Sequence, residues 1–563
     1  MDSPVELEFS HHTRSGNIAA LVSEPVELLV IGAGITGAGI ARDAAMRGLR
    51  TAVIDQGDFG AGTSSRSSRL VHGGLRYLEE GHFKLVLASI RERHILLKIA
   101  PHLVWPRSFL VPLHRGGRLS IWRLAAGLWL HDLLAAFRNV GHHRLLSRRA
   151  IRAAEPRMKD RDLIGGARYY DAQCDDARLT LATVRSAHRH GALAANYVQV
   201  DRLDNADGRV RGALVTDLTT GKQHTIRALT VVNATGPWSD TLQAQDSTAP
   251  VLRPTKGVHI CVRRQRIGNK EAVTFLSPID GRVMFIIPQG RLSYIGTTDT
   301  DCDFSPDEIY ADSADVTYLL RSANALFPDA RLGPADIVST WTGVRPLVAP
   351  TDQLPPSSVC REHRILDGPS GLISVVGGRL TTYRAIAAQA VNRVAAQLHE
   401  LDGRHVSLKA GTEHEPLPGG EAHDLQVLVE DAEREGFSRE VAEHIVRSYG
   451  SESPAVTRLA ISEPALAEPV FPGHPAILAE LVHAMRREMA ITLGDLLIRR
   501  THVFHEVSGH GIEHIATIAD LAAAEMGWGP ERKEAEIAAY LVEAEFNSAF
   551  QRDMEEMSAP PSL

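Results

Sequence analysis

Three glycines near the N-terminus have the spacing of a phosphate cradle. Gly32, Gly34 and Gly37 fit the pattern GxGxxG directly after the apolar run VELLVI, at the start of a segment rich in alanine and isoleucine. The first glycine permits a tight turn, the second lets a pyrophosphate approach the backbone, and the third lets helix and strand pack closely. The pattern predicts a dinucleotide site.

An acid stands where the ribose hydroxyls of such a ligand would lie. Asp55 follows the apolar run TAVI, which completes a βαβ unit with a right-handed crossover. Between the two strands, Ile35 and Thr36 place N–H groups and a positive dipole end at the start of the helix. A glycine-rich turn in a non-binding fold is the alternative, but strand, helix and acid together favour dinucleotide binding.

The next segment favours a flavin over a nicotinamide cofactor. A nicotinamide-binding unit would proceed to another helix, whereas residues 60–79 read GAGTSSRSSRLVHGGLRYLE. Small residues also follow two later strands, with Ala234 and Gly236 after ALTVV and Gly378 after LISVV. Small residues allow the chain to approach a flat cofactor closely. Ordinary turn chemistry is the alternative interpretation of these three sites.

Length and composition bound the rest of the chain. Its 563 residues predict about two to four domains. A hydrophobic fraction of 44% excludes disordered and fibrous classes of protein. A net charge of −7 does not indicate a nucleic-acid-binding protein. The four cysteines lie far apart without a CxxC pair, so we expect neither a disulfide framework nor a sulfur-ligated metal.

Composition also changes at the two ends. Residues 1–24 have acidic groups and no apolar signal core, so we expect a mobile extension rather than a secretory signal. The last 170 or so residues are rich in helix-forming segments, which places a boundary near residue 400. No window of about 18 uninterrupted apolar residues exists, so no helix should span a membrane.

Motifs along the chain resemble the FAD-dependent glycerol-3-phosphate dehydrogenases. These motifs are TSSRSSRLVHGGLRYLE, KGVHI, GTTDTD, TGVRPL and GGRLTTYR, in that order, and MRREMAITLGDLLIRRTHV resembles the family's C-terminal domain. The resemblance implies an α/β fold with a glutathione-reductase-type FAD-binding Rossmann domain, an interleaved α+β substrate domain and an all-α C-terminal domain. We expect the first two to share residues 25–400, with substrate parts at about 105–165 and 250–365, and the third to span 401–563.

The same resemblance implies an activity. The family oxidises sn-glycerol 3-phosphate to dihydroxyacetone phosphate by hydride transfer to flavin N5, and electrons pass to a membrane quinone. A glycerol-3-phosphate oxidase that reduces O2 to H2O2 is the alternative enzyme, since both share the reductive half-reaction. A flavin-binding protein without catalysis is the alternative from another class, but its pocket would not need a set of basic residues.

Motif positions then supply the site residues. A phosphate calls for arginine donors, and a base must remove the hydroxyl proton. We expect Arg345, Arg361 and Arg379 to bind substrate, with Arg345 and Arg361 favoured for the phosphate. His259 is the preferred base because it is neutral near pH 7, while Arg345 beside the reacting oxygen is a competing assignment. Arg76 and Tyr77 complete the catalytic set, and further FAD contacts are Thr63, Ser64, Ser65, Gly73, Gly74, Arg379, Leu380 and Thr381.

Two positions depart from the family pattern, because Arg69 and Arg379 stand where lysine is common. Arginine keeps the positive charge near the flavin but cannot exchange a proton as lysine can. Arg379 therefore argues against an essential lysine base. Its wider guanidinium also alters the shape of the pocket.

A basic, amphipathic stretch suggests contact with a membrane. Residues 121–137 carry tryptophan and leucine, and eight basic residues lie between Arg138 and Arg161. We expect the stretch to meet anionic lipid, which places the protein in the cytoplasm, peripherally associated with the inner face of the cell membrane. A solvated helical face is the first alternative interpretation of this stretch. In the second, the C-terminal helices cover the stretch in a soluble oligomer such as a homodimer.

A sequence pattern found in zinc sites lies near the C-terminus, but its context argues against metal binding. His510 and His514 fit HxxEH, but Gly509 and Gly511 weaken the helix that must present both histidines on one face. We therefore expect a structural or interface role and no metal.

Overall fold

The computed structural model describes residues 8–74, 77–78, 81–135, 140–302, 305–349 and 362–558. Its strands, in chain order, are β1 (Val26–Ile31), β2 (Thr51–Ile54), β3 (Leu70–Val71), β4 (Val104–His114), β5 (Arg144–Ser147), β6 (Leu163–Cys174), β7 (Leu193–Ala195), β8 (Val198–Ala206), β9 (Arg209–Asp217), β10 (Lys222–Asn233), β11 (Leu252–Arg263), β12 (Ala272–Leu276), β13 (Val283–Gln289), β14 (Leu292–Gly296), β15 (Thr300–Asp301), β16 (Ile337–Val348), β17 (Arg364–Asp367) and β18 (Ile373–Val376).

The helices of these ranges are α1 (His11–Ser23), α2 (Ile35–Met46), α3 (Phe83–Ile99), α4 (Ile121–Leu134), α5 (Arg148–Ala154), α6 (Asp176–Arg189), α7 (Ser239–Ala244), α8 (Arg264–Ile267), α9 (Ser313–Leu326), α10 (Tyr383–Asp402), α11 (Leu425–Arg434), α12 (Arg439–Tyr449), α13 (Ser453–Ser462), α14 (Leu478–Arg487), α15 (Val503–Glu506), α16 (Ile515–Met526), α17 (Pro530–Asn547) and α18 (Ala549–Ser558). No helix in this described part combines the length and hydropathy that crossing a bilayer requires.

The first sheet, with β1 at its centre, is the middle of three layers. The order β17-β18-β10-β1-β2-β7 is parallel from β18 to β7, and β8 and β9 extend β10 into an antiparallel meander. Leu28 and Val30 pack against the helices α2, α6 and α10, whereas Leu29 and Ile31 pack against the meander. Because successive strand residues face opposite sides, burial on both sides explains the continuous apolar run of β1.

The second sheet is mixed and interleaved with the first. Its main order is β15-β11-β14-β13-β12-β4-β6-β3, with β16 paired to β11 and β5 to β6. The helix α9 packs on one of its faces through Val316, Leu319 and Ala323. The predicted interleaved architecture is confirmed. The sheet also includes β3 (Leu70–Val71) and the last residues of β6, which lie outside the expected substrate ranges 105–165 and 250–365. The bounds of the substrate domain stay a prediction.

The C-terminal region is helical, as predicted. Between residues 403 and 558, which are all described, the only strand-like pairing is an isolated bridge between Pro469 and Ile477. The helices surround their own core, which includes Leu481, Leu496 and Phe504. The long helix α10 ends at Asp402, and the domain boundary near residue 400 stays a prediction.

The N-terminus differs from the prediction of a mobile extension over residues 1–24. Ser10 caps α1 in a capping box with Thr13, whose hydroxyl oxygen accepts a hydrogen bond from the Ser10 N–H. The buried face of α1 carries Arg14, Asn17 and Leu21. Two of these are polar, so the helix lacks the apolar stripe that would have revealed it in the sequence.

Each polar group on that face has a partner in the first sheet. Arg14 forms an ion pair with buried Asp217 and donates to the carbonyl oxygen of Asn196 at 2.9 Å. Asn17 donates to the carbonyl oxygen of Ala194 at 2.8 Å. These contacts fix α1 against β7 and the turn that follows β9.

We predict that Arg14→Ala lowers the free energy of unfolding by about 3–5 kcal/mol, because it leaves the buried Asp217 carboxylate without its cation. Arg50→Ala is the control, since Arg50 pairs with exposed Glu24 and should contribute about 0–1 kcal/mol. Urea unfolding followed by tryptophan fluorescence measures both. Equal stability of the Arg14→Ala variant and the wild type would show that α1 is not anchored as described.

Candidate active site

A cavity of 1950 Å³ lies between the two sheets. It runs along the carboxyl ends of β1, β2, β10 and β18, where the chain continues into Gly32, Asp55, Ala234 and Gly377. The carboxyl edge of a parallel sheet is where such folds bind ligands. The cavity then extends beneath β11 and β16 of the second sheet.

The glycine motif forms the tightest contact at this edge. A Cβ atom on Gly37 would overlap the carbonyl oxygen of Gly32, so α2 can lie against β1 only with glycine here. Gly32 has a φ of 99°, a conformation that L side chains rarely adopt. Gly34 and Ile35 then line the cavity at the start of α2. The N-terminal N–H groups of α2 therefore face a space of the size a dinucleotide needs.

Polar side chains complete the cradle. Asp55 Oδ2 accepts from the Ala33 N–H at 2.6 Å and Oδ1 from the Gly57 N–H at 2.9 Å. Burial raises the pKa of Asp55 to about 6, although these two hydrogen bonds oppose the shift. Ser64 Oγ accepts from the Ile35 N–H at 2.9 Å. The remaining lone pairs of Asp55 could accept hydrogen bonds from ribose hydroxyls, and this role stays a prediction.

His259 and Arg345 meet on neighbouring strands of the second sheet. In the antiparallel pair of β11 and β16, Gly257 lies opposite Gly343 and His259 opposite Trp341. Gly257 and His259 share one face of β11 because side chains alternate along a strand. A Cβ atom on Gly257 would overlap the Arg345 guanidinium. Glycine at 257 thus gives the guanidinium room beside the imidazole.

The imidazole of His259 is held on several sides. It is 3% exposed, its Nε2 lies 2.9 Å from Ser68 Oγ, and its ring stacks on Trp341 with centroids 5.1 Å apart. Nδ1 is buried and has no hydrogen-bond partner among the described residues. Burial, and then the charges of Arg345 and Arg69, lower the pKa of His259 to about 3. The ring is therefore neutral at pH 7, as a base must be.

Arg345 is anchored by residues to which the sequence analysis gave no role. Its guanidinium donates to Thr297 Oγ1 at 2.9 Å and pairs with Asp299 Oδ1 at 3.1 Å. Both residues belong to GTTDTD, a motif that carried the resemblance without an assigned function. Ser68, in the motif TSSRSS, was missed in the same way. An acid next to a predicted arginine pocket is the signal that could have identified Asp299.

Tyr77 and Arg379 also come together, as expected for members of one site. The guanidinium carbon of Arg379 lies 3.9 Å from the centroid of the Tyr77 ring. Gly74 lies against the same ring, since a Cβ atom there would be 3.0 Å from Tyr77 Cδ2. A cation over an aromatic face keeps its charge with little need of a carboxylate.

Most of the predicted residues line this one cavity. They are Gly32, Gly34, Ile35, Thr36, Asp55, Thr63, Ser64, Gly74, Tyr77, Ala234, Gly236, His259, Arg345, Gly378, Arg379, Leu380 and Thr381. Three do not line it: Gly37 packs α2 on β1, Ser65 faces a small neighbouring cavity, and the Gly73 N–H donates to Asp171. Arg76 and Arg361 lie outside the described residues.

The HxxEH segment lies away from this cavity. His510 is buried, with Nδ1 2.9 Å from the carbonyl oxygen of Phe504 and Nε2 3.1 Å from Ser548 Oγ. Its backbone φ is positive, as are those of Gly509 and Gly511, so the segment is not a regular helix. His510 therefore ties the C-terminal helices together.

Two family models match the chain in sequence order. The model described as FAD dependent oxidoreductase matches residues 27–384, and the C-terminal domain of alpha-glycerophosphate oxidase matches residues 410–533. The aerobic glycerol-3-phosphate dehydrogenase of Staphylococcus haemolyticus is 36% identical over 493 residues, which are 85% of this chain and 87% of that one. The glycerol-3-phosphate dehydrogenase of Synechocystis is 35% identical over 542 residues, 93% of this chain and 97% of that one.

A solved structure agrees with these sequence matches. The glycerol-3-phosphate dehydrogenase from Bacillus halodurans, crystallised with FAD, superposes with a TM-score of 0.79 at 31% identity. The match covers 96% of this chain and 98% of that one. The α-glycerophosphate oxidase from Mycoplasma pneumoniae has a TM-score of 0.54 at 15% identity, covers 70% of this chain and 98% of that one, and shows a common fold.

We predict that Gly37→Ala lowers the amount of FAD bound per chain, because the added methyl group must push α2 away from β1 and displace its N–H groups. Gly16→Ala is the control, since no atom lies within 4 Å of the methyl position on α1 and that variant should keep its FAD. Absorbance of the flavin relative to protein gives the occupancy. Full occupancy in the Gly37→Ala variant would contradict the role of this contact.

Proposed function

Since the chain belongs to the FAD-dependent glycerol-3-phosphate dehydrogenase family and binds FAD, we propose that it oxidises sn-glycerol 3-phosphate to dihydroxyacetone phosphate and passes the electrons to a membrane quinone. The observation that carries the proposal is that one cavity is lined both by His259 and Arg345, on paired strands of the second sheet, and by the glycine motif of the first sheet. When bound, FAD accepts a hydride from the carbon that bears the hydroxyl group.

Binding of the phosphate falls to arginines. The Arg345 guanidinium is fixed by Thr297 and Asp299, so little rotational freedom would be lost when it takes an anion. The planar fork of arginine suits two phosphate oxygens at once. Arg379 adds a second cation at the cavity wall, and Arg361 stays a predicted phosphate ligand. Unphosphorylated glycerol would leave these charges without a partner.

Removal of the hydroxyl proton falls to His259. Its neutral ring accepts the proton, and Ser68 Oγ at 2.9 Å from Nε2 fixes the plane of the imidazole. The pKa of about 3 results from burial of the ring and then from the nearby charges of Arg345 and Arg69. A phosphate dianion bound to Arg345 opposes the effect of that charge and raises the basicity of His259. Substrate binding thereby prepares its own base.

The choice of a quinone over O2 rests on helix α4. Its inner side contributes Leu124 and Leu130 to the cavity wall, whereas Trp122 and Trp129 on its outer side are 80% and 59% exposed. Exposed tryptophan is typical of side chains that lie at a membrane interface. A lipid-soluble acceptor would approach from that side, while O2 needs no such surface. The glycerol-3-phosphate oxidase is the second candidate.

Basic side chains lie beside the same helix. Arg115, Arg118 and Arg123 line the cavity close to the start of α4. The predicted basic stretch farther along is partly compensated, because Arg148 and Arg152 both pair with Asp160. We therefore propose that α4 forms the principal contact with an anionic membrane, together with the arginines at 115, 118 and 123. The protein then binds the membrane peripherally.

Anaerobic mixing tests the substrate. Glycerol 3-phosphate should bleach the flavin absorbance, and glycerol should not.

We predict that Arg345→Ala loses roughly 1.5–3 kcal/mol of interaction with the phosphate, or about 10- to 150-fold in kcat/KM. Arg253→Ala is the matched control, an arginine of β11 paired with Asp301 outside the cavity. Equal kcat/KM for both variants, with FAD retained, would overturn the phosphate assignment.

The pH profile tests the electrostatic coupling between Arg345 and His259. Activity requires neutral His259 and is lost as pH falls through its pKa. Removing the Arg345 charge raises that pKa, so the acid limb of kcat/KM should move to higher pH in Arg345→Ala.

Reoxidation of the reduced enzyme with a soluble quinone or with O2, in separate anaerobic and aerobic experiments, identifies the electron acceptor. Faster reoxidation by O2 would favour the oxidase.

Sedimentation with vesicles of phosphatidylglycerol and phosphatidylcholine tests the membrane contact. We predict that the Trp122→Ala, Trp129→Ala double variant pellets less than the wild type at low salt, because the apolar anchors are lost. The control is Leu408→Ala with Val542→Ala, two equally exposed apolar residues elsewhere. The triple change Arg144→Glu, Arg148→Glu, Arg149→Glu measures the basic stretch. Identical sedimentation of all four proteins would exclude both surfaces.

A further inference from the structure

A buried carboxylate behind the wall of the cavity is held by the C-terminal region. The side chain of Asp58 has no exposed surface and lies in the loop that follows β2. Its Oδ2 atom accepts from Arg499 Nε and Arg500 Nη1, each at 2.6 Å, and its Oδ1 atom accepts from Arg500 Nη2 at 3.0 Å. The two arginines follow Asp58 by 441 and 442 residues.

The ion pair keeps its charges despite burial. Burial alone would raise the pKa of Asp58, but the charges and hydrogen bonds of Arg500 and Arg499 hold that pKa well below its usual range. A buried charge is tolerated only when its partners satisfy it. Asn196 donates a further hydrogen bond to Oδ1 at 3.2 Å. Asp58 thus fixes its loop through four hydrogen bonds.

The arginines are themselves fixed. They end a π-helical turn, Asp495–Arg500, a rare conformation that occurs frequently at functional sites. Arg499 also pairs with Asp495, which accepts from the Tyr197 hydroxyl at 2.6 Å. Arg500 Nη2 also donates to the carbonyl oxygen of Glu488 at 2.9 Å. The turn lies in the motif MRREMAITLGDLLIRRTHV, to which the proposed reaction gives no role.

The other side of the Asp58 loop faces the cofactor. Gln56, Gly57, Ala61 and Gly62 line the large cavity. The Gly57 N–H donates to Asp55, the residue placed to bind ribose, and the Gly60 N–H donates to the carbonyl oxygen of Ala33 inside the glycine motif. A displacement of Asp58 would therefore move the wall that contacts the dinucleotide.

We propose that Arg499 and Arg500 are positioning residues for FAD, and that the C-terminal region holds the cofactor in place through Asp58. The ion pair forms the back of the loop whose front is the cradle wall. Loss of the pair releases the loop and speeds the departure of FAD, whatever substrate the enzyme oxidises. The C-terminal region thereby helps to retain the cofactor, although neither arginine lines the large cavity.

Release of FAD from the full-length holoenzyme tests the proposal. Free FAD fluoresces more strongly than bound flavin, so dilution of the holoenzyme gives the release rate directly. We expect Arg500→Lys and Asp58→Asn to release FAD roughly 5- to 150-fold faster than the wild type, the usual range of a coupling between two sites. Arg500→Gln, which also removes the charge, should release it faster than Arg500→Lys.

The matched control is Arg185→Lys. Arg185 on α6 forms a half-buried bidentate pair with Glu452 of the C-terminal region, at 2.7 and 3.0 Å. It lies 3.9 Å from Glu488 but makes no described contact with the Asp58 loop. If the Asp58 or Arg500 variants fail to fold, Arg499→Lys, which leaves both hydrogen bonds from Arg500 to Asp58 intact, provides the measurement and should still release FAD faster than the wild type. Wild-type release in the folded variants, or an equal acceleration in Arg185→Lys, would overturn the proposal.

Discussion

The contact between α2 and β1 is the constraint on which the rest of the site depends. The Gly32 carbonyl oxygen occupies the space that a Cβ atom of Gly37 would need, so the helix starts at the carboxyl edge of the sheet. The Ile35 N–H can then reach Ser64, which positions the segment that follows. Thr63 Oγ1 in turn donates to the Val344 carbonyl oxygen at 2.6 Å, joining the cradle to the strand that carries Arg345. This series of contacts connects the glycine motif of the first sheet to the strand of the second sheet that carries Arg345.

Two opposite electrostatic demands meet at the basic end of that cavity. Arg345 must stay charged to attract an anion, and Asp299 stabilises that charge. His259 must stay neutral to accept a proton, and burial together with the nearby arginine ensures it. The same cation serves both demands, because it favours the anion and disfavours the imidazolium. The glycine at 257 makes this arrangement sterically feasible, since a larger residue would separate the two side chains.

The sequence was sufficient where a local pattern determines geometry. The glycine motif, Asp55 and the small residues after β10 and β18 depend on strand ends that neighbouring residues define. It was insufficient where the partner is distant or the pattern is unusual. The helix α1 buries Arg14 and Asn17, so its burial has no apolar periodicity. The pair of Asp58 with Arg500 joins residues 442 positions apart, and charge alone does not distinguish them from solvated side chains. Asp299 was within a quoted motif, but its role required the position of Arg345.

The arginine at position 379 narrows the assignment of the base. Arg345, Arg379 and His259 are three of the motif residues that line the cavity. A guanidinium remains protonated in proteins, so neither arginine can take the hydroxyl proton. The Tyr77 ring beneath Arg379 further favours the charged form. Of these three residues only the imidazole can accept a proton, and its neutral state is the one that the surrounding sheet enforces. The departure from lysine at 379 is thus compatible with the proposed reaction, in which the proton acceptor lies on β11 and the cation near Tyr77 needs only its charge.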